Sequence, residues 1–179
     1  MASTASTNAW DALQKRLDGM PKPTKTLTLC SDPGIQERYL TAKRKHAAAV
    51  DYRDALSADA DEEAKALVDR QVREAATELD EASKAYTAHS VTLTFKALER
   101  GQLEQLQAQY PATEEDEEQG RDFHFDTFAP ALISASNVDG MPLEYATQAM
   151  KTWSWADSQD LWNAAWSVQQ TRRSDLGKG

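Results

Sequence analysis

Three histidines, one cysteine and one unbroken acidic run are the residues of this sequence with types suited to chemistry. His46, His89 and His124 lie in three separate neighbourhoods, none at a ligand spacing such as His-Glu-x-x-His. Cys30 has no nearby base to activate it, and the sequence contains neither a Gly-x-Ser-x-Gly elbow nor a glycine-rich phosphate loop. Glu114–Glu118 could gather divalent ions weakly, but it lacks the interleaved spacing of a calcium loop. In Asp122-Phe123-His124-Phe125-Asp126 a histidine stands among carboxylates, yet its aromatic neighbours favour a packed or merely exposed side chain. These patterns predict no catalytic residues, no metal and no cofactor.

Charge narrows the partners. The chain of 179 residues carries 20 basic and 29 acidic residues, a formal net charge of −9, so a phosphate backbone or an anionic membrane repels it at long range. The basic clusters Lys43–Lys45 and Arg172–Arg173 read as solvated surface. Nucleic acid and membrane are therefore not expected partners, and proteins are. A single cysteine excludes an internal disulfide and suits a reducing compartment. Met1–Asn8 has no basic or apolar signal pattern, and no apolar stretch approaches spanning length, so a soluble, cytoplasmic protein is expected.

Two segments alternate as half-buried strands do: Lys25–Cys30, with Leu27 and Leu29 on one face, and Ser90–Phe95, with Val91, Leu93 and Phe95 on one face. A two-stranded ribbon is marginal in water, so the strands must pair and lie on helices. Upstream, Asn8 can cap a short helix bearing Trp10, Leu13 and Leu17, stopped by Gly19, Pro21 and Pro23, that covers the strand pair. Between the strands, Ile35, Tyr39, Ala42, His46, Ala49 and Leu56 recur near a heptad rhythm. After a break at Ser57–Asp61, Ala64, Val68, Ala75, Leu79, Ala82 and Tyr86 repeat it. The expectation is an antiparallel helical hairpin with an alanine-rich seam, inserted as a stalk between two antiparallel strands. Past the second strand, Leu98, Leu103, Leu106 and Tyr110 mark a covering helix that ends before Pro111.

The acidic run then reads as a mobile linker, since like charges repel and nothing apolar offers burial. Beyond it, Asp126 or Thr127 caps a helix with Phe128, Ala131, Leu132 and Ala135, in which Pro130 is tolerable in the first turn. Asn137–Gly140 turns the chain, Pro142 opens a helix with Leu143, Ala146 and Met150, and Ser154 with Asp157 boxes the start of the last. In that helix Leu161, Ala165 and Val168 form one stripe and Trp155, Trp162 and Trp166 its neighbour, an arc wider than a small lobe can bury. Tryptophan suits protein interfaces, so Trp155, Trp162, Trp166 and Leu161, with Phe128 and Leu132, form the candidate partner-binding set. The fold class is mainly α with a small antiparallel β-hairpin. Its parts are residues 1–110 with a stalk at about 34–89, a linker at 111–125, a three-helix lobe at 126–175 and a tail at 176–179.

The order of these features resembles the tail assembly chaperones of long-tailed phages, particularly those infecting actinobacteria. The resemblance rests on Pro21-Lys22-Pro23-Thr24-Lys25-Thr26 before the first strand, Val91-Thr92-Leu93-Thr94-Phe95-Lys96-Ala97-Leu98, and Gln109-Tyr110-Pro111-Ala112-Thr113-Glu114-Glu115. It continues through Phe128-Ala129-Pro130-Ala131-Leu132-Ile133-Ser134-Ala135-Ser136 and Trp162-Asn163-Ala164-Ala165-Trp166. It implies a non-catalytic factor of the host cytoplasm that shields the tape measure protein, brings tail tube subunits to it and leaves before the tail matures. In that family ribosomal slippage yields a longer form, which is then a further partner. Leu176-Gly177-Lys178 can be encoded by CTG GGA AAG, a slippery run, so slippage at Gly177–Lys178 is expected of a short form. The competing expectations are a coiled-coil adaptor or head–tail completion protein and, less favoured, an enzyme with an unrecognised site.

Overall fold

Alternation in the two Thr/Leu segments produces the strands it predicts. β1 (Thr24–Cys30) and β2 (Ser90–Lys96) pair antiparallel as the one sheet among the described residues, and eight helices make up most of the remainder. The structure is a computed structural model that describes residues 4–57 and 59–173. No helix among these is long and apolar enough to cross a membrane. The chain divides into two compact units, Thr28–Thr92 and Met1–Leu27 with Leu93–Gly179. The boundaries thus fall within the strands and not at the acidic run.

The inserted unit is a helical hairpin. Asp32 caps α2 (Pro33–Ala55) by accepting from the amides of Gly34 and Ile35 at 2.8 and 3.1 Å, with Pro33 in the first turn. Asp61 caps α3 (Glu62–Ala88) through the Ala64 amide at 2.6 Å. Every residue of the two heptad rows named above is buried or half-buried, with Ala42, Val68, Ala75 and Ala82 the most deeply buried. Tyr39 stacks on Tyr86 with ring centroids 4.5 Å apart, and Lys45 meets Glu78 at 2.5 Å, pairings that fix an antiparallel register. Small side chains allow the helices to approach but bury little apolar area each. At the root of the hairpin Ser31 donates its amide to the His89 carbonyl at 2.9 Å, and the Thr28 and Thr92 hydroxyls bond across the strands at 2.9 Å.

The second unit holds the main core. Phe95, Phe128, Leu132, Ile133, Leu161 and Val168 are sealed from solvent, and Leu27, Leu93, Leu98, Leu103 and Leu106 pack half-buried against them. The helices that build it are α4 (Arg100–Gln109), α6 (Phe125–Ser136), α7 (Leu143–Thr152) and α8 (Trp155–Gln169), with α6 against α4, α7 and α8. After α6 the chain clips onto β2: the Val138 amide donates to the Thr94 carbonyl at 2.9 Å, and the Asp139 carboxylate accepts from the Thr94 amide at 2.7 Å. Gly140, at φ 83°, makes the turn that starts the chain toward α7. The three-helix lobe therefore shares one core with α4 and the base of the strands.

Several expectations need correction. The strand face is buried only at its base, because Val91 is 63% exposed while Phe95 is sealed. α1 (Thr4–Asp18) contains Asn8 instead of being capped by it, and it does not cover the strands, since Trp10, Leu13 and Leu17 face solvent. α6 begins after His124, not after Asp126 or Thr127, which places Pro130 in its second turn and deprives the Asp126 carbonyl of its helical donor. The acidic run is not a structureless linker: Glu114–Glu118 is a short helix, α5, with Asp116 buried.

Candidate functional site

An open groove of about 520 Å³ lies where α6, α7 and α8 meet. Its apolar lining comes from Tyr110 after α4, Phe125 and Pro130 of α6, Leu143 and Met150 of α7, and Trp155 of α8. Trp155 is held at the lip by local sequence. Ser154 caps α8, its hydroxyl accepting from the Asp157 amide at 3.1 Å and lying 2.7 Å from the Asp157 carboxylate, and this starts the helix at Trp155. The indole is 79% exposed, the most exposed large apolar side chain among the described residues. Asp126 of α6 and Lys151 of α7 are the two charged residues of its lining.

Beside the groove a second hollow of about 460 Å³ shares Phe125, Asp126, Trp155 and Gln159 with it and runs to Glu115, Asp116 and Arg121. Asp116 is the centre of a polar knot. One carboxylate oxygen accepts from the Thr113 hydroxyl at 2.7 Å and the Thr113 amide at 3.1 Å, and lies 2.8 Å from His124 Nδ1. The other accepts from Arg121 Nε and Nη2 at 2.9 and 2.7 Å. Hydrogen bonds from Thr113 first, then from His124 and Arg121, hold this carboxyl well below the usual carboxylate range against the opposing effect of burial. Its acceptor positions are spent on the protein, so the knot is built to pin α5, Arg121 and the start of α6 together. No group of three or more His, Cys, Asp or Glu side chains among the described residues is arranged to hold a metal ion.

The candidate partner-binding set is divided by the fold. Phe128, Leu132 and Leu161 are sealed in the core and Trp162 is 9% exposed, so the chain as folded presents none of these four as a docking surface. Trp166 is half-buried, stacked on Trp162 with centroids 5.2 Å apart and packed near Phe123. Trp155 alone of the six stands free. The arc of α8 is wide because that helix is covered on more than one side, by α6 and α7 and by aromatic residues at the start of α6, with Phe125 edge-on to Trp162 at 5.2 Å. The sequence reading missed Tyr110, Phe125, Pro130, Leu143 and Met150 as groove residues. Leu143 and Met150 are seven apart, two turns along one helical face, and that spacing could have flagged them.

A second apolar surface is on α1, where Trp10, Leu13 and Leu17 recur at helical spacing with exposures of 57%, 45% and 45%, followed by exposed Met20. Comparison of the chain with models of known protein families, with curated proteins and with solved structures found no match.

Proposed function

We propose that this protein is a non-catalytic tail assembly chaperone of a long-tailed phage, which binds and shields the tape measure protein and recruits tail tube subunits to it. The observation that carries the reading is the pairing of an acidic, strongly charged chain with large side chains left in solvent. Trp155, Leu143 and Tyr145 lie on the helical lobe, and Trp10, Leu13 and Leu17 along α1. Apolar patches rimmed by polar residues suit docking of another polypeptide, and an amphipathic helix laid into a groove is one of the recurring ways this is done. A long helical tape measure carries apolar stripes that need cover until the tube surrounds it. Groove and α1 offer complementary means of covering them while the net charge keeps the complex dispersed.

In this reading the chain is the short form of a frameshift pair. The slippage point at Gly177–Lys178 lies outside the described residues, and the codons there are its test. The reading as a whole is tested by co-expressing the full chain with the tape measure and tail tube proteins encoded beside its gene. Co-purification of either protein, reduced by Trp155→Lys or by Leu13→Lys with Leu17→Lys, supports it. Absence of both from the purified complex rejects it.

A further inference from the structure

The apolar groove and the polar hollow beside it are two parts of one surface. They share Phe125, Asp126, Trp155 and Gln159, so whatever covers the exposed Trp155 indole also approaches the Asp126 carboxylate. Charge in the hollow is unbalanced. Glu115, Asp116 and Asp126 line it with a single guanidinium, that of Arg121. Asp116 already takes Arg121 on one oxygen and lies 2.8 Å from His124 Nδ1 with the other, so the cationic groups of the hollow are committed. No ion pair among the described residues engages Glu115 or Asp126. The same knot fixes where these two carboxylates stand, because Glu115 adjoins Asp116 on α5 and Asp126 follows His124 by two residues at the start of α6. A purely apolar ligand seated on Trp155 would strip water from Asp126 and leave it without a partner, which costs free energy, and an anionic ligand would be repelled. A cation over the indole is attracted by the ring and by the carboxylates together. Arginine suits the pair better than lysine, since its planar guanidinium both stacks on an aromatic face and binds a carboxylate through two donors.

We propose that this surface docks an amphipathic helix of a partner polypeptide that carries an arginine one turn away from a large apolar residue. The apolar residue enters the groove against Phe125, Leu143 and Met150, and the arginine lies on Trp155 and reaches Asp126 and Glu115. Helical residues three or four apart have Cβ atoms about 5–6 Å from each other on one face, which matches two adjoining hollows with a common wall. The inference rests on the reading that the groove takes another polypeptide, and it adds what must accompany that polypeptide's apolar row; it does not require the partner to be a tape measure protein.

The test is selection from a displayed library of helix-forming peptides of about 15 residues, long enough for about four turns, on the immobilised full chain, with the Trp155→Ala chain for counter-selection. Enriched sequences should pair a large apolar residue with a basic one three or four positions away, arginine above lysine. Fluorescence anisotropy with the most enriched peptide then measures the share of the cation. Replacing its arginine by glutamine should weaken binding about tenfold, the combined effect of a cation–π contact and a partly exposed ion pair. Glu115→Gln with Asp126→Asn in the chain should narrow that difference to about threefold, the cation–π part alone. Both carboxylates are on exposed residues, so folding is retained, and circular dichroism verifies it. Peptides that bind through Trp155 with no basic preference, or a glutamine form that binds as tightly as the arginine form, overturn the proposal and leave a polypeptide-binding groove standing. A library that yields no peptide distinguishing the native chain from Trp155→Ala overturns both. Spermidine that displaces the peptide at equal concentration also overturns the proposal, because the surface would then serve free polyamines and not a helix.

Discussion

Replacing Phe95 by Ala should destabilise the main unit severely, whereas replacing Val91 by Ala, four residues earlier on the same strand face, should hardly register. Phe95 has no solvent exposure and belongs to the core formed with Phe128, Leu132, Leu161 and Val168, while Val91 is 63% exposed. Removing a buried phenyl ring sacrifices its transfer free energy and leaves a cavity, together about 3–5 kcal/mol. Removing two exposed methyl groups falls within about 0.5 kcal/mol. For a chain of this length each kcal/mol lowers the melting temperature by about 2–4 °C, so the Phe95 variant should melt roughly 6–20 °C below the native protein. Near-ultraviolet circular dichroism is the suitable probe, because the stacked pair Trp162 and Trp166 sits in that core and reports its packing. Equal effects of the two substitutions, or a Phe95 variant that melts with the native protein, would refute the claim that the strand base and the three-helix lobe share one core.

The remaining expectations follow from other parts of the fold. Asp116 is held ionised below the usual carboxylate range, so it stabilises the folded state fully above about pH 4, and that contribution is lost as acid protonates the carboxyl below it. Asp116→Asn should lower stability at neutral pH and flatten the fall in stability between about pH 4 and pH 2; urea midpoints that decline in parallel for the two proteins would remove Asp116 from the account. In the hairpin, Ala75→Leu at the 3% exposed seam should cost about 1–3 kcal/mol by overpacking, and Ala76→Leu on the exposed side should cost almost nothing. Similar unfolding curves for those two would mean the seam is misassigned. Gly140→Ala meets no neighbouring atom but forces a side chain into a left-handed conformation, so a loss of about 1–2 kcal/mol should come from backbone strain alone, measured as a shift in urea midpoint.

Regular patterns were legible in the sequence, and features that depend on neighbours were not. The hairpin was legible because a heptad row faces a single partner, so periodicity marks the middle of its seam from Ile35 to Tyr86, while Val50, Val72 and Ala85, half-buried beside the rows, were not picked out. The strands could be read because alternation is local, but their half-burial was not, since nothing in Ser90–Phe95 says that the helical lobe covers Phe95 and leaves Val91 bare. On α8 the apolar arc was visible, but its width alone did not say which of its residues are covered. An arc records how much of a helix is covered, and α8 has enough neighbours to take in Leu161, Trp162 and Val168, leaving only Trp155 at the lip. The knot around Asp116 was hidden by composition, because five consecutive acids suggest repulsion. Its signal was Thr113-x-x-Asp116, a capping-box spacing, with Arg121 and His124 following within reach. α1 was read as a cover for the strand pair because its residues are apolar; amphipathicity shows that a face needs a partner and not where that partner is.

The central claim is that this chain displays apolar surface in order to cover apolar surface on another polypeptide. Light scattering from tape measure protein diluted out of denaturant measures this directly, with increasing amounts of the native chain or of a variant carrying Leu13→Lys, Leu17→Lys and Trp155→Lys. The native chain should suppress aggregation in a stoichiometric, saturable way and the variant should not. Aggregation that proceeds unchanged in the presence of the native chain, or that the variant suppresses equally well, would contradict it.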